Sequence, residues 1–241
     1  MLALRLGGSL VIGSSTVESF TNKYSLQFDG VDDYVNLNSA ASVIDVEGGA
    51  ISLWAKLSDV TDNTPIFKFY TNTNNQATII YLHSSDEFKF MYKAAGTNTQ
   101  VITDASGIEG NDAFYHFAMS WNVTGGRFFA YINGAQVGTT QTTFGTWSGS
   151  PSVFELGRNG LSGTGYWKGK IDEIALFDAP KSSAEILAIY NSGVPTDLSA
   201  ESDLAGYWRN EEGSGTTIAD GSTNSNSGTL VNGTTFSTDV P

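Results

Sequence analysis

Short runs of alternating apolar and polar residues recur along most of the chain, and turn-forming residues separate them. The alternation is clear at residues 50–57 (AISLWAKL), where Ile51, Leu53 and Ala55 share one face and Trp54 occupies the other. Further runs at 66–70, 78–83 and 88–93 follow at intervals of roughly ten residues. Because successive side chains of a strand point to opposite faces, this pattern predicts a sandwich or a barrel built mainly of β-strands.

A β-hairpin is predicted over residues 114–137. The strand AFYHFAMSW is followed by RFFAYI, and the dipeptide Asn133-Gly134, which is preferred in two-residue hairpin turns, precedes AQV. The odd-numbered residues from Tyr115 to Trp121 share one face of the strand, and the even-numbered residues share the other. We expect His116, in this aromatic strand, to be a packed residue.

Residues 166–191 combine a predicted strand with the one helix that the sequence clearly indicates. The helix is expected near 182–191, because Ser182 can cap its first turn and Glu185 lies at capping-box spacing. Its apolar stripe would be formed by Ile186, Leu187, Ile189 and Tyr190.

The charge of the chain restricts its partners. The formal net charge is −13, from 25 acidic and 12 basic residues. A protein that binds duplex nucleic acid needs a basic surface, so we expect no nucleic-acid partner. The acidity is compatible with cation binding or with a plain solvated surface.

Cysteine is absent, which excludes disulfides and thiolate chemistry. No apolar run approaches the roughly 20 residues that span a bilayer, so membrane insertion is not expected. Residues 2–12 contain Arg5 and two glycines and are followed by no cleavage pattern. We interpret them as part of an N-terminal arm rather than as a signal peptide.

Four sequence blocks carry a family resemblance. They are SLQFDGVDDYVNL at 25–37, AISLWAKL at 50–57, FYHFAMSWNVTGGRFFAYINGAQV at 114–137 and GKIDEIALFDAPKSSAEI at 169–186. Together they resemble laminin G-like domains of the concanavalin A-like jelly-roll group, which also resembles pentraxins. The resemblance implies an all-β fold, a two-sheet antiparallel jelly-roll sandwich with one short helix.

The resemblance also implies a domain organisation. We expect an N-terminal arm at 1–23, the jelly roll at 24–193 and a C-terminal segment at 194–241. The block GYWRNEEGSGTTIADGSTNSNSGTLVNG of this last segment is similar to a block that commonly precedes the FDG strand in the family. The order is therefore permuted here, and we expect the segment to dock on the same sandwich, because it is too small to bury a core alone.

No catalytic residue is predicted. Related glucan hydrolases resemble one another in an E-x-D-x-x-E or E-x-D-x-E motif, and this chain lacks both. Its acidic pairs, such as Asp172-Glu173, are adjacent, so their side chains are expected on opposite faces of a strand. Only two histidines occur, and the G-x-S-x-G motif is absent. A glycan hydrolase is therefore the less favoured alternative to a protein without enzymatic activity.

Calcium is the metal that the sequence favours, as a structural ion. Ca²⁺ takes six to eight oxygen ligands, and Asp172 is a carboxylate within an otherwise apolar strand. Asp220, Asn224 and Asn226 lie on a glycine-containing loop, and the family resemblance suggests that this loop approaches Asp172. The alternative is an Asx-rich turn whose side chains bond their own backbone.

Carbohydrate binding is predicted to use an exposed aromatic side chain. Trp147 lies in a loop rich in glycine and serine, FGTWSGSPS, and is the preferred ligand-binding residue. The alternative for each tryptophan is a place in the core.

The first thirty-odd residues resemble structural proteins of tailed bacteriophages. We therefore predict a non-catalytic structural or binding module on a virion surface, as a capsid decoration or a fibre-type adhesin with possible glycan binding. The arm would contact other virion proteins or sister subunits. The alternative is a secreted, extracellular carbohydrate-binding domain of lectin type, with cell-surface or extracellular glycans as its partners.

Overall fold

Sixteen β-strands make up the framework of the part of the chain that the structure describes. A computed structural model describes residues 20–58 and 63–241 of the chain. The strands are β1 (Ser25–Asp29), β2 (Tyr34–Asn36), β3 (Gly48–Leu57), β4 (Thr64–Asn72), β5 (Asn75–Leu82), β6 (Glu87–Ala94), β7 (Thr97–Asp104), β8 (Tyr115–Asn122), β9 (Arg127–Ile132), β10 (Ala135–Gln141), β11 (Val153–Leu156), β12 (Lys168–Phe177), β13 (Leu204–Trp208), β14 (Thr217–Ile218), β15 (Gly228–Val231) and β16 (Thr235–Ser237). One α-helix, α1 (Ser183–Tyr190), and three 3-10 turns (Asn38–Val43, His83–Ser85 and Asn191–Gly193) complete the described elements.

The strands form two antiparallel sheets of eight strands each. The first sheet has the order β10-β9-β8-β3-β12-β1-β16, and β13 also pairs with β12. The second sheet has the order β14-β15-β2-β11-β4-β5-β6-β7. The predicted all-β jelly-roll sandwich with one short helix is confirmed. No helix within residues 20–58 and 63–241 is long and apolar enough to cross a membrane.

The main apolar core lies between the inner faces of the two sheets. Phe117, Met119 and Trp121 of β8 are at most 1% exposed and belong to this core, together with Ile51 and Leu53 of β3. Full burial of one such side chain stabilises the fold by about 1.5–3 kcal/mol. The face assignments predicted from the alternation of these two strands are therefore confirmed.

Helix α1 covers the outer face of the first sheet. Ile186 and Ile189 pack in a second apolar cluster with Ala118 and Phe177 of the sheet. The predicted capping box is present, because the Ser182 side chain and the Glu185 side chain each accept a hydrogen bond from the backbone of the other residue. Leu187 is 57% exposed, so its predicted place in the apolar stripe is wrong. The buried stripe is narrower than the sequence indicated.

The C-terminal residues contribute strands to both sheets. β13 pairs with β12 and β16 pairs with β1 in the first sheet, whereas β15 pairs with β2 in the second. Residues 194–241 therefore share backbone hydrogen bonds with β1 and β2, the first two strands, and with β12. Of the predicted N-terminal arm, residues 1–19 lie outside the described part of the chain.

His116 lies beneath α1 on the outer face of β8 and is fully buried. Its Nε2 atom is 2.7 Å from Ser52 Oγ, and its ring contacts those of Trp54 and Tyr190. None of these partners carries a charge. Burial lowers the pKa of His116 to about 3, so the imidazole is neutral at physiological pH.

We predict that His116→Gln reduces the loss of stability in acid. The unfolded chain takes up a proton on this histidine near pH 6.5, whereas the folded chain does so near pH 3. The contribution of the neutral histidine to the free energy of unfolding is therefore complete above pH 6.5 and is lost as the pH falls toward 3. Urea denaturation at pH 7 and at pH 4 would measure the change in that free energy. The free energy of unfolding should fall by about 3 kcal/mol more in the wild type than in the variant. An equal fall in both proteins would contradict a neutral, buried imidazole.

Candidate functional site

A β-bulge in β12 places two adjacent carboxylates on one side of the first sheet. Asp172 pairs with Trp54 and Ala175 pairs with Ser52, so two residues of β12 lie opposite one residue of β3. Glu173, inside the bulge, has a φ of 45°. The neighbouring Ile171 and Ile174 both point into the main core. The expectation that adjacent acidic side chains point to opposite faces is therefore wrong for Asp172 and Glu173, because it assumes a strand without a bulge.

Asp172 is completely buried and accepts three hydrogen bonds. Its Oδ2 accepts from Asn22 Nδ2 at 2.9 Å. Its Oδ1 accepts from Asn210 Nδ2 at 3.3 Å and from the backbone N–H of Glu173 at 2.9 Å. Burial, and then the charge of Glu173, raise the pKa of Asp172 well above its ordinary value. A buried carboxylate of this kind gains from any additional positive charge beside it.

The two asparagines of this cluster have amide oxygens without partners. The Oδ1 atoms of Asn22 and Asn210 are buried and accept no hydrogen bond. Buried polar atoms nearly always have a partner, so two such oxygens around one carboxylate need an explanation. Carboxylate and amide oxygens are the ligands that Ca²⁺ takes in proteins. Asp172, Asn22 and Asn210, which we call the calcium cluster, therefore offer oxygen atoms of the kind that calcium takes. Both asparagines donate to Asp172 through Nδ2, so each amide would have to rotate to present its Oδ1 to an ion beside the carboxylate.

Glu173 ties the same region to the N-terminal residues. Its Oε2 accepts from Tyr207 Oη at 2.5 Å, and its Oε1 is 3.4 Å from Arg209 Nε. Burial raises the pKa of Glu173 to about 7. Arg209 also donates to the carbonyl of Thr21 at 2.8 Å, and its guanidinium lies 4.3 Å from the centre of the Phe20 ring. Residues 20–22 are thus held against β12 and β13.

The two carboxylates of the bulge do not resemble a hydrolytic pair. Asp172 is 0% exposed and Glu173 is 3% exposed, and each accepts hydrogen bonds from protein groups. A general acid or a nucleophile must reach the substrate. Their burial argues for a structural role, even though the bulge brings them to one face.

Asp220 stabilises its own loop. Its Oδ1 accepts from the backbone N–H groups of Tyr207 and Ser222 at 2.9 and 2.8 Å, and its Oδ2 accepts from the backbone of Asn226 at 2.8 Å. Asn224 Nδ2 donates to the carbonyl of Ala205 at 3.0 Å. Within the described residues, no hydrogen bond joins these loop residues to Asp172. The structure brings Asp172 together with two asparagines instead, and the loop side chains make the Asx-type contacts that were the alternative.

Trp147 is not the exposed aromatic residue that the sequence predicted. It is 7% exposed and packs in the main core against the rings of Phe69 and Tyr92. Its Nε1 donates to Thr71 Oγ1 at 3.1 Å. The surrounding glycine and serine residues correctly indicate a loop, but they do not show that this loop folds back so that Trp147 packs in the main core.

The outer face of the second sheet carries a polar surface that the sequence did not identify. Side chains that point away from the core line up across its strands; we call them the second-sheet face. They include Tyr34 and Asn36 on β2, Glu155 on β11, Lys68 and Tyr70 on β4, Gln76 and Thr78 on β5, Glu87, Lys89, Met91 and Lys93 on β6, and Asp104 on β7. The signal was present in the alternation of β4, where Phe67 and Phe69 belong to the core.

The centre of the second-sheet face is recessed. Lys68 is 6% exposed and Glu155 is 2% exposed, although neither points into the core. Lys68 Nζ donates to Asn159 Oδ1 at 2.9 Å. Burial, and then the charges of Lys89 and Lys93, lower the pKa of Lys68 to about 8.

Arg158 and Glu155 form an ion pair beside this lysine. One guanidinium nitrogen of Arg158 donates to Glu155 Oε1, and the guanidinium lies 3.5 Å from the centre of the Tyr34 ring. Arg158 Nε and Glu155 Oε2 are buried and have no hydrogen-bond partner. Tyr34 and Tyr70 are partly exposed. Because these two atoms are buried, the partly exposed tyrosine rings are the groups of this region that a ligand can contact.

Comparison with known proteins supports the fold assignment. Residues 29–187 match the model of the Laminin_G_3 family, described as the concanavalin A-like lectin/glucanases superfamily. No curated protein sequence matches the chain.

Solved structures with the same fold have low sequence identity. A candidate carbohydrate-binding protein of Bacteroides ovatus is 18% identical with a TM-score of 0.64; the match covers 92% of this chain and 62% of that protein. The CBM40 of a Ruminococcus gnavus IT-sialidase, bound to α2,3-sialyllactose, is 13% identical with a TM-score of 0.56, covering 68% of this chain and 96% of the module. A heptameric SAP-like pentraxin of Limulus polyphemus is 16% identical with a TM-score of 0.54, covering 70% and 82%.

The family match covers more than half of the chain, and the pentraxin similarity agrees with the resemblance seen in the four sequence blocks. The chain therefore belongs to the laminin G-like family of the concanavalin A-like lectin/glucanases superfamily.

Proposed function

We propose that this protein is a non-catalytic, lectin-like module that binds glycans on its second-sheet face. The carrying observation is the partly exposed ring of Tyr70 beside partly exposed polar side chains of this face, such as Asn36 and Lys93. A sugar presents hydroxyl groups that both donate and accept, and its apolar ring face packs on aromatic side chains. One saccharide unit could therefore pack on Tyr70 and exchange hydrogen bonds with these polar side chains.

Two similar structures support this proposal. One is a candidate carbohydrate-binding protein, and the other is a sialidase module bound to sialyllactose. The first sheet offers no equivalent surface at its centre, because α1 covers it with apolar side chains. An extracellular or surface-exposed location is the corresponding proposal for where such a module acts.

Calcium is proposed at the calcium cluster. Asp172 would supply carboxylate oxygens, and Asn22 and Asn210 would supply their unpartnered amide oxygens. The ion would contribute positive charge beside a buried carboxylate and would link Asn22, near the N-terminus, to β12 and to Asn210, the second residue after β13. Its role would be structural, since none of these groups belongs to the second-sheet face.

A virion location is proposed for the whole protein. Its support is the resemblance of the N-terminal sequence to structural proteins of tailed bacteriophages. In this proposal the domain is a capsid decoration or a fibre-type adhesin, and residues 1–19 contact other virion proteins or sister subunits. A secreted lectin-like domain is the alternative, and it needs the same glycan site.

Tyr70→Ala tests the glycan site. We expect wild-type protein to bind glycans on an array and Tyr70→Ala to weaken the affinity for the best ligand about tenfold, because a stacking surface is lost. Isothermal titration calorimetry would measure both. The matched control is Leu187→Ala, which shortens an exposed side chain on the opposite sheet. Equal binding by Tyr70→Ala and wild type, or no glycan bound by either, would argue against this site.

Thermal melting in excess CaCl₂ and in EDTA tests the ion. Saturation at about a hundred times the dissociation constant stabilises a protein by about 2.7 kcal/mol, which should raise Tm by about 5–10 °C. Asp172→Asn should abolish this difference. Asp220→Asn should lower Tm in both buffers but keep the difference. An unchanged wild-type Tm in EDTA would refute a structural ion, and loss of the response in Asp220→Asn would favour the loop instead.

Two N-terminal deletions separate folding from assembly. Deleting residues 1–19 keeps Phe20, Thr21 and Asn22 in the chain, and we expect an unchanged free energy of unfolding together with loss of incorporation into particles. Deleting residues 1–22 removes the Asn22 and Phe20 contacts and should cost about 2–4 kcal/mol. Normal incorporation of the shorter deletion would contradict the virion role.

A further inference from the structure

The second-sheet face is cationic in a strongly acidic protein. The chain has a net charge of −13, with only 12 lysines and arginines. Four of these, Lys68, Lys89, Lys93 and Arg158, lie on or beside this one face. Glu155 is the carboxylate at its centre, and it is paired with Arg158. Glu87 and Asp104, which lie opposite each other at one end of β6 and β7, are acidic residues at its edge. The excess of positive charge is therefore confined to the centre of the face, around Lys68, Lys89 and Lys93.

The sheet register fixes the spacing of the three lysines. Lys68 lies opposite Thr78, and Thr78 lies opposite Met91. Met91 therefore continues the row of Lys68 across the sheet. Lys89 lies two residues before Met91 on β6, and Lys93 lies two residues after it. β4 and β6 are two strand spacings apart, which is about 10 Å. Lys89 and Lys93 are four residues apart along β6, which is about 13 Å. One extended ligand can contact all three ammonium groups.

Lys68 has capacity for an anionic partner. An ammonium group has three donors, and the described hydrogen bond of Lys68 is the single one to Asn159. Glu155, its cross-strand neighbour, pairs with Arg158 instead. Lys89 and Lys93 repel the charged form of Lys68, so an anion bound among the three would relieve an unfavourable interaction that the free protein retains.

We propose that the second-sheet face binds an acidic oligosaccharide, whose carboxylate or sulfate groups contact Lys68, Lys89 and Lys93. The proposal rests on the proposed glycan-binding function and specifies the class of glycan. A nucleic acid fits less well, because a long polyanion would extend beyond this face onto the acidic remainder of the surface.

Calorimetry with matched ligands tests the proposal. The probes are an oligogalacturonate, which carries carboxylates, a heparin oligosaccharide, which carries sulfates as well, a neutral cello-oligosaccharide and a DNA oligonucleotide of similar length. We expect one or both acidic oligosaccharides to bind about tenfold or more tightly than the neutral one, with an affinity that falls as salt is added.

Paired charge variants locate the binding. Lys89→Gln with Lys93→Gln should weaken acidic-oligosaccharide binding about tenfold and leave any neutral binding unchanged. Lys23→Gln with Lys168→Gln removes the same charge from exposed positions on the first-sheet side and should change the affinity less than about twofold. Matching thermal melts would show that both double variants fold.

The outcomes separate this inference from the proposed function. Neutral glycans bound as tightly as acidic ones, without an effect of the lysine variants, would overturn the acidic specificity and leave glycan binding intact. DNA bound as tightly as the saccharides would indicate a general polyanion site and overturn it as well. Binding of no saccharide at all would refute both.

A pH titration adds a second measurement. Because the pKa of Lys68 is about 8 in the free protein, acidic-oligosaccharide affinity should be strongest below pH 8 and fall as the pH rises through that value. Lys89, Lys93, Glu155 and Arg158 are the other charged groups around it. Lys68→Met should bind more weakly and lose most of this dependence. An affinity that is independent of pH in the wild type would exclude a contact to Lys68.

Discussion

The backbone hydrogen bonds of β12 join strands from the beginning, the middle and the C-terminal part of the described chain. This strand pairs with β3, with β1 and with β13 in one sheet. Gly169, near its beginning, has a φ of 140°, and a Cβ atom there would lie 1.9 Å from the Lys56 carbonyl oxygen. Only glycine allows β12 to approach β3 this closely. The other strands of the first sheet pair outward from this one, and the second sheet packs against them through the main core.

The bulge in β12 explains why an acidic pair can exist inside the sheet. With regular pleating, one of Asp172 and Glu173 would point into the apolar core, where an unpaired carboxylate is very costly. The extra residue turns both outward, where Asn22 and Asn210 donate to one carboxylate and Tyr207 and Arg209 to the other. The positive φ of Glu173 is strained for a residue with a side chain, and these hydrogen bonds offset that strain.

The strands, the sandwich and the capped helix could be predicted from the sequence because each depends on residues that are close together in the chain. Alternation of apolar and polar residues indicates strands, and the spacing of Ser182 and Glu185 indicates the start of the helix. The candidate sites depend on contacts between residues far apart in the chain. Asn22 and Asn210 are separated from Asp172 by 150 and 38 residues, and no local pattern marks either as its partner. The bulge also changes the face of Glu173 without leaving a signal in the sequence. The prediction that Trp147 is exposed was wrong for the same reason, because its burial depends on contacts with Phe69 of β4 and Tyr92 of β6.

The two outer faces of the sandwich have opposite chemistry, and this contrast locates the ligand site. On the first sheet, α1 and the apolar side chains beneath it exclude water, and even the polar pair Ser52 and His116 is buried there. On the second sheet, Lys68 and Glu155 are also nearly buried, but Tyr70, Lys89 and Lys93 around them are partly exposed. Aromatic rings and polar groups of this kind are what proteins present to polar ligands. A ligand can therefore reach aromatic and charged side chains on the second sheet, whereas α1 keeps it from the covered face of the first.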